Sequence, residues 1–221
     1  MLKKIAIAAA MIIASGAFVS AHADSNTQLN SSASTTTNNS VSEGIANAGA
    51  TVNISSNPAW ASALPGSNWI SFTDTGNPSD ASFYTVPNGT SVTFTQTFNL
   101  NGTVTGATLS VLADDTTAVI LNGVTIYNAA LGGSYPTCSS QPIGCLINTE
   151  GAFTFSNVAP YLNDNGVNTL QFVVYQEAGS SYGLDYSGNI TTAPEPASLG
   201  LLAAGLIGVA LIGRKRFALE N

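Results

Sequence analysis

Between about residue 51 and residue 192 apolar and polar side chains alternate with a period of two, in short runs separated by turn residues. In Ser91 to Leu100, Val92, Phe94, Phe98 and Leu100 point one way, with Gln96 the one polar intruder, while Thr93, Thr95 and Thr97 point the other. A helix would scatter these positions around its axis; a half-buried strand puts them on two faces. Thr105 to Ala113 repeats the pattern through Ala107, Leu109, Val111 and Ala113, and Asn168 to Val174 through Leu170, Phe172 and Val174. Tyr182, Leu184 and Tyr186 predict a last strand. Asn122-Gly123 separates Ala118–Leu121 from Val124–Tyr127, a strong hairpin signal because both turn residues tolerate positive φ. Asn88-Gly89, Asn101-Gly102 and Asn165-Gly166 mark further turns. The pattern predicts an all-β domain over residues 51–192, a single antiparallel β-sandwich of eight to ten strands.

The flanks read differently. Lys3 and Lys4 precede an apolar run from Ile5 to Val19, and Ala21-His22-Ala23 supplies the small residues a signal peptidase reads. Residues 1–23 are therefore expected to be a secretory signal peptide, cut after Ala23; the run is short for a membrane anchor. Residues 24–50 are expected to be a flexible segment. Thirteen of the seventeen residues from 24 to 40 are Ser, Thr or Asn, too little apolar surface to offset the entropy of ordering. At the other end, residues 197–213 carry no charge and stop at Arg214, Lys215 and Arg216. A helix of that length reaches about 26 Å, enough for a short membrane span, and the basic cluster would hold its end in the cytoplasm.

Pro194-Glu195-Pro196, the glycine-containing apolar run and Arg214-Lys215-Arg216 together resemble the PEP-CTERM sorting signal of Gram-negative bacteria. The match covers Pro194 to Arg216 within a sorting region of residues 193–221, and the tail beyond Arg216 is slightly longer than many members show. The resemblance implies an exosortase as processing partner, a membrane-anchored precursor, and a final place at the cell surface or in an extracellular polysaccharide or biofilm matrix. A second resemblance lies in the middle of the chain. Phe94–Phe98, then Ala113-Asp114-Asp115 leading to Leu121-Asn122-Gly123, then Gly166–Leu170 look like the galactose-binding-like jelly-roll sandwiches of secreted bacterial proteins, over roughly residues 60–190. Many members of that family bind sugars and many are structural.

Charge narrows the chemistry. Residues 24–193 hold ten of the twelve acids and no Lys, Arg or His. A Ser-His-Asp triad, an imidazole metal ligand and a lysine Schiff base are all excluded there. So is the basic footprint that nucleic acid requires. Only carboxylates and tyrosines remain for acid–base work, and no carboxylate pair stands out as a glycosidase couple.

Three features are candidate sites. Cys138 and Cys145 flank a short loop in an exported chain, so a disulfide is expected, worth roughly 2.5 kcal/mol in the chain-entropy treatment. Asp114-Asp115 follows a strand and precedes a hairpin. The pair resembles the calcium-dependent sugar site of yeast flocculin-type adhesin domains, which implies Ca2+ held by both carboxylates; the alternative is a turn in which Asp accepts backbone N–H bonds. Asp74 to Asp80, with Asn77 between, is a lesser calcium candidate. Trp60, after Pro58, either stacks on a sugar or fills the core. The expected protein is exported and non-catalytic, carbohydrate-associated through Asp114, Asp115 and Trp60, with a purely structural matrix protein as the alternative and a carboxylate glycosidase behind both.

Overall fold

The computed structural model describes residues 24–40, 49–129, 131, 143–146, 153–177, 179–193 and 205. The expected signal peptide and Cys138 lie outside these residues, as does the expected membrane helix apart from Gly205. No helix among the described residues is long and apolar enough to cross a membrane.

Alternation becomes strands where it was legible. In chain order the strands are β1 (Ser25–Asn30), β2 (Thr37–Asn38), β3 (Val52–Asn53), β4 (Ile70–Ser71), β5 (Ser91–Leu100), β6 (Thr103–Asp114), β7 (Thr116–Leu121), β8 (Val124–Tyr127), β9 (Phe153–Phe155), β10 (Gly166–Tyr175) and β11 (Gly183–Ala193). One 3-10 turn, Ala159–Tyr161, carries a proline in its first turn. One sheet runs β3-β4-β11-β6-β9, with β1 also paired to β11; the other runs β2-β5-β10-β7-β8. The registered pairs are antiparallel. The β5–β10 ladder is unbroken from Ser91↔Tyr175 to Leu100↔Gly166. Asn122 (φ 51°) and Gly123 (φ 80°) form the β7–β8 turn, both in the left-handed region that a two-residue hairpin needs.

The inward faces of the two sheets make one core. Val92, Phe94 and Leu100 of β5 and Leu170, Phe172 and Val174 of β10 meet Leu109 and Val111 of β6 and Leu184, Tyr186 and Ile190 of β11. Each fully buried Leu, Val or Phe contributes about 1.5–3 kcal/mol of transfer free energy. The layers also touch through polar groups. Phe172 stacks on Tyr186 with ring centroids 4.5 Å apart. The Tyr186 hydroxyl reaches across to Gln96 Oε1 at 2.9 Å and lies 2.7 Å from Thr36 Oγ1. Gln96, the polar intruder in β5, is therefore the partner that lets a tyrosine be buried whole. This is the sandwich the alternation predicts.

The expected flexible segment is not what residues 24–40 form. β1 pairs along its whole length with β11, from Ser25↔Thr192 to Asn30↔Ser187. β2 pairs with β5. The composition argument fails here for two reasons. A single apolar residue is enough when it faces inward, and Leu29 is buried in the main core. The polar side chains are not left to water but act as partners: Ser31 Oγ donates to Asp185 Oδ1 at 2.8 Å, and Asn38 Nδ2 reaches Thr51 Oγ1 at 3.3 Å. The compact unit consequently runs from Ser25 to Thr192, not from residue 51.

Candidate functional site

Asp114 ends β6 in one sheet, Thr116 opens β7 in the other, and Asp115 is the corner between them. The Asp115 N–H donates to Tyr175 O at 3.1 Å and Asp115 Oδ2 accepts the Glu177 N–H at 2.7 Å, which ties the corner to the end of β10. The Asp114–Asp115 peptide bond is cis. Both aspartates are buried, at 5% and 7% exposure. That is not the solvated turn considered as the alternative, although Asp115 does accept a backbone N–H as such a turn would.

The Asp114 carboxyl group lies beside that of Asp115 and beside the Trp60 indole. Burial first, then the neighbouring Asp115 carboxyl and its charge, hold Asp114 well above the usual carboxylate range; the Trp60 indole pulls the other way. Out of water, with the charge of Asp115 beside it, the Asp114 carboxyl is costly to ionise.

The fold thus brings Asp114, Asp115 and Trp60 together, but not as an open binding surface. Trp60 is 9% exposed and belongs to a second, smaller core with Ala61, Trp69, Leu112 and Cys145. Its ring centroid is 4.4 Å from that of Trp69. Its edge lies against Gly183, where a Cβ would come within 3.0 Å of the ring. The sugar-stacking expectation for Trp60 is corrected accordingly. Its ring is spent on packing against Trp69 and the outer side of β11. A loop, residues 54–69, folds over the sheet to make this small core with Leu112 and Cys145, held by two bonds to other parts of the chain and one within itself. Ala61 N donates to Cys145 O at 2.8 Å, Trp69 Nε1 to Ala61 O at 3.0 Å, and Leu64 N to Asp185 Oδ2 at 2.7 Å.

Asp185 escapes the sequence reading. It is fully buried on β11 and accepts hydroxyl bonds from Ser31 at 2.8 Å and Ser67 at 2.5 Å besides the Leu64 N–H. Burial raises its pKa, while the bonds from Ser67, Leu64, Ser31 and Tyr186 oppose the rise. Its donors come from three separate stretches of chain, so no local motif could announce it. It fastens strand and loop together and offers no oxygen to an outside ligand in that role.

Calcium fits the corner by donor type. The carboxylates of Asp114 and Asp115 are hard oxygen ligands, and Thr116 Oγ1 is buried with no hydrogen-bond partner. A divalent cation there would offset the negative charge that burial makes costly at Asp114. Ca2+ takes six to eight oxygens, so water or a bound sugar would have to supply the balance. No group of three or more His, Cys, Asp or Glu able to hold a metal occurs among the described residues. The Asp74–Asp80 loop is satisfied internally: Ser82 Oγ donates to Asp74, Asn77 Nδ2 to Asp80 Oδ1 at 3.3 Å, and Ser79 N to Asn77 Oδ1 at 3.0 Å. Cys145 is buried, and no free cysteine occurs among the described residues; the pairing with Cys138 is carried forward as a prediction.

Residues 192–216 match the PEP-CTERM protein-sorting motif. No curated protein matches the chain. Among solved structures, the chain is similar to an α-L-rhamnosidase of Streptomyces avermitilis complexed with L-rhamnose. Identity is 26% over 62% of this chain and 12% of that one, with a TM-score of 0.44. It is also similar to a family 35 carbohydrate-binding module of Clostridium thermocellum, with 10% identity over 74% of this chain and 97% of the module and a TM-score of 0.35. The chain thus spans a small part of the rhamnosidase and nearly the whole length of the module.

Proposed function

We propose that this is an exported, non-catalytic protein that an exosortase processes and that associates with extracellular polysaccharide at the cell surface or in a biofilm matrix. The observation that carries the reading is the sorting motif at residues 192–216, which marks a chain handled by an exosortase. The domain supports it in one way: residues 24–193 have no cation or imidazole for the common catalytic machineries. Ca2+ at Asp114 and Asp115 is the proposed cofactor; its charge would offset the cost of burying these carboxylates.

Fractionation of the producing cells tests the reading. The processed protein is expected in the extracellular polysaccharide fraction, partly released by an EDTA wash. Loss of the exosortase should leave the precursor in the membrane fraction. Recovery of an uncut, full-length chain from the cytosol would overturn the proposal. Retention that ignores EDTA would remove calcium and leave the rest.

A further inference from the structure

The outer face of the sheet containing β11 carries an unusual side-chain pattern. Along β1 the inward Leu29 leaves Asn26, Gln28 and Asn30 on the outer side, opposite Thr191, Asn189 and Ser187 of β11. Each rung is joined by side chains. Gln28 Nε2 donates to Asn189 Oδ1 at 2.8 Å, Thr191 Oγ1 to Asn26 Oδ1 at 3.1 Å, and Ser187 Oγ to Asn30 Oδ1 at 3.2 Å. On the other side of β11 the face continues onto β6, where Thr108 is exposed, and ends at a Ser110–Thr154 hydroxyl contact of 2.8 Å between β6 and β9. Gly188 lets β6 approach closely, since a Cβ there would lie 2.8 Å from Thr108 O. Every outward side chain on these rungs is an amide or a hydroxyl. None is charged and none is a large apolar group.

We propose that this ladder is the surface that contacts an uncharged polysaccharide chain. The inference rests on the function proposed above and adds the contact face and the class of glycan.

The size and chemistry of the face favour that occupant. Four strands span about 14 Å, and Ser187 to Thr191 about 13 Å. A stable protein interface buries roughly 800 Å² per partner around an apolar or aromatic centre, and this face offers neither the area nor the anchor. Nucleic acid and anionic polysaccharide need cations, of which residues 24–193 have none. A neutral polyhydroxylic chain needs closely spaced donors and acceptors on a flat support. The cross-strand bonds leave that capacity in place: Gln28 keeps one N–H and its Oε1, and Asn189 keeps both N–H groups. They also fix the rotamers before binding, which lowers the ordering cost.

The test uses the protein as exported and processed by its host. Its migration is measured in native gels containing dextran, a soluble β-glucan, a mannan or alginate. At least one neutral polymer is expected to retard it and alginate is not. Replacing the central rung as a unit, Gln28→Ala with Asn189→Ala, is expected to weaken retardation at least tenfold without leaving an orphaned partner. Thr95→Ala with Gln171→Ala removes a facing pair from the outer side of the other sheet and is expected to change nothing. Far- and near-UV circular dichroism checks that both variants fold; if the first does not, Thr108→Ala, a single exposed change, takes its place. Unchanged retardation of the rung variant overturns this inference and leaves the proposed function standing. A native protein retarded by no polysaccharide overturns both. Retardation by alginate in EDTA overturns the charge argument, and sedimentation showing a dimer that the rung variant breaks assigns the face to a second copy instead.

Discussion

Leu29→Ala is the most decisive single change. Leu29 sits in the middle of a segment otherwise made of Ser, Thr, Asn and Gln, and it is 3% exposed in the main core. Losing a buried leucine removes its transfer free energy and leaves a cavity, about 2–5 kcal/mol together. The site lies between β1 and the inner face near Gly188, where Leu29 Cβ would be 3.5 Å from an added Cβ. An edge strand can settle inward, so the lower half of the range, about 2–3 kcal/mol, is expected. For a domain of this size each kcal/mol lowers the thermal midpoint by about 2–4 °C, giving a fall of about 4–12 °C. Urea unfolding followed by tryptophan fluorescence suits the measurement, because Trp60 and Trp69 are buried and become exposed on unfolding. The outward neighbour change Gln28→Ala should stay within about 0.5 kcal/mol. If Leu29→Ala also stays within that margin, β1 is not part of the cooperative unit and the account of residues 25–30 is wrong.

Tyr186→Phe leaves Thr36 Oγ1 and Gln96 Oε1 without their shared hydroxyl between the sheets, at a cost of about 1–3 kcal/mol; a midpoint equal to the native one in urea would show that water replaces it. Asp114→Asn is expected to gain stability over the native protein as pH rises. The fold holds the Asp114 proton more tightly than the unfolded chain does, so its contribution is full below the ordinary carboxylate value and declines as pH passes through the raised one, whereas Asn does not titrate. Urea midpoints at pH 4, 6 and 8 in EDTA read this, and a constant difference across the series contradicts it. Thiol labelling of the native protein under oxidising conditions should modify neither Cys138 nor Cys145, and two labelled thiols would refute the disulfide. Reducing it should cost roughly 2.5 kcal/mol.

Residue type and spacing were sufficient wherever the information is local. Period-two alternation placed β5, β10 and the inward row of β6, and Asn122-Gly123 placed the β7–β8 turn, because side-chain direction in a strand and positive φ in a turn are properties of a few adjacent residues. The sorting motif was legible for the same reason: Pro194-Glu195-Pro196 and its basic cluster are read in linear order. The partners that residues find across the chain were not legible. Residues 25–30 look solvated by composition and become a strand because β11, more than 150 positions away, offers a complementary edge. Trp60 looks available to a ligand and is buried because Gly183 leaves a flat place for its ring. Asp185 looks like any surface acid on an outward strand position and is fully enclosed by Ser31, Leu64 and Ser67. Hydrophobic periodicity fixes which way a side chain points; only tertiary packing decides what meets it there, since a polar group is stable inside once its hydrogen bonds are made.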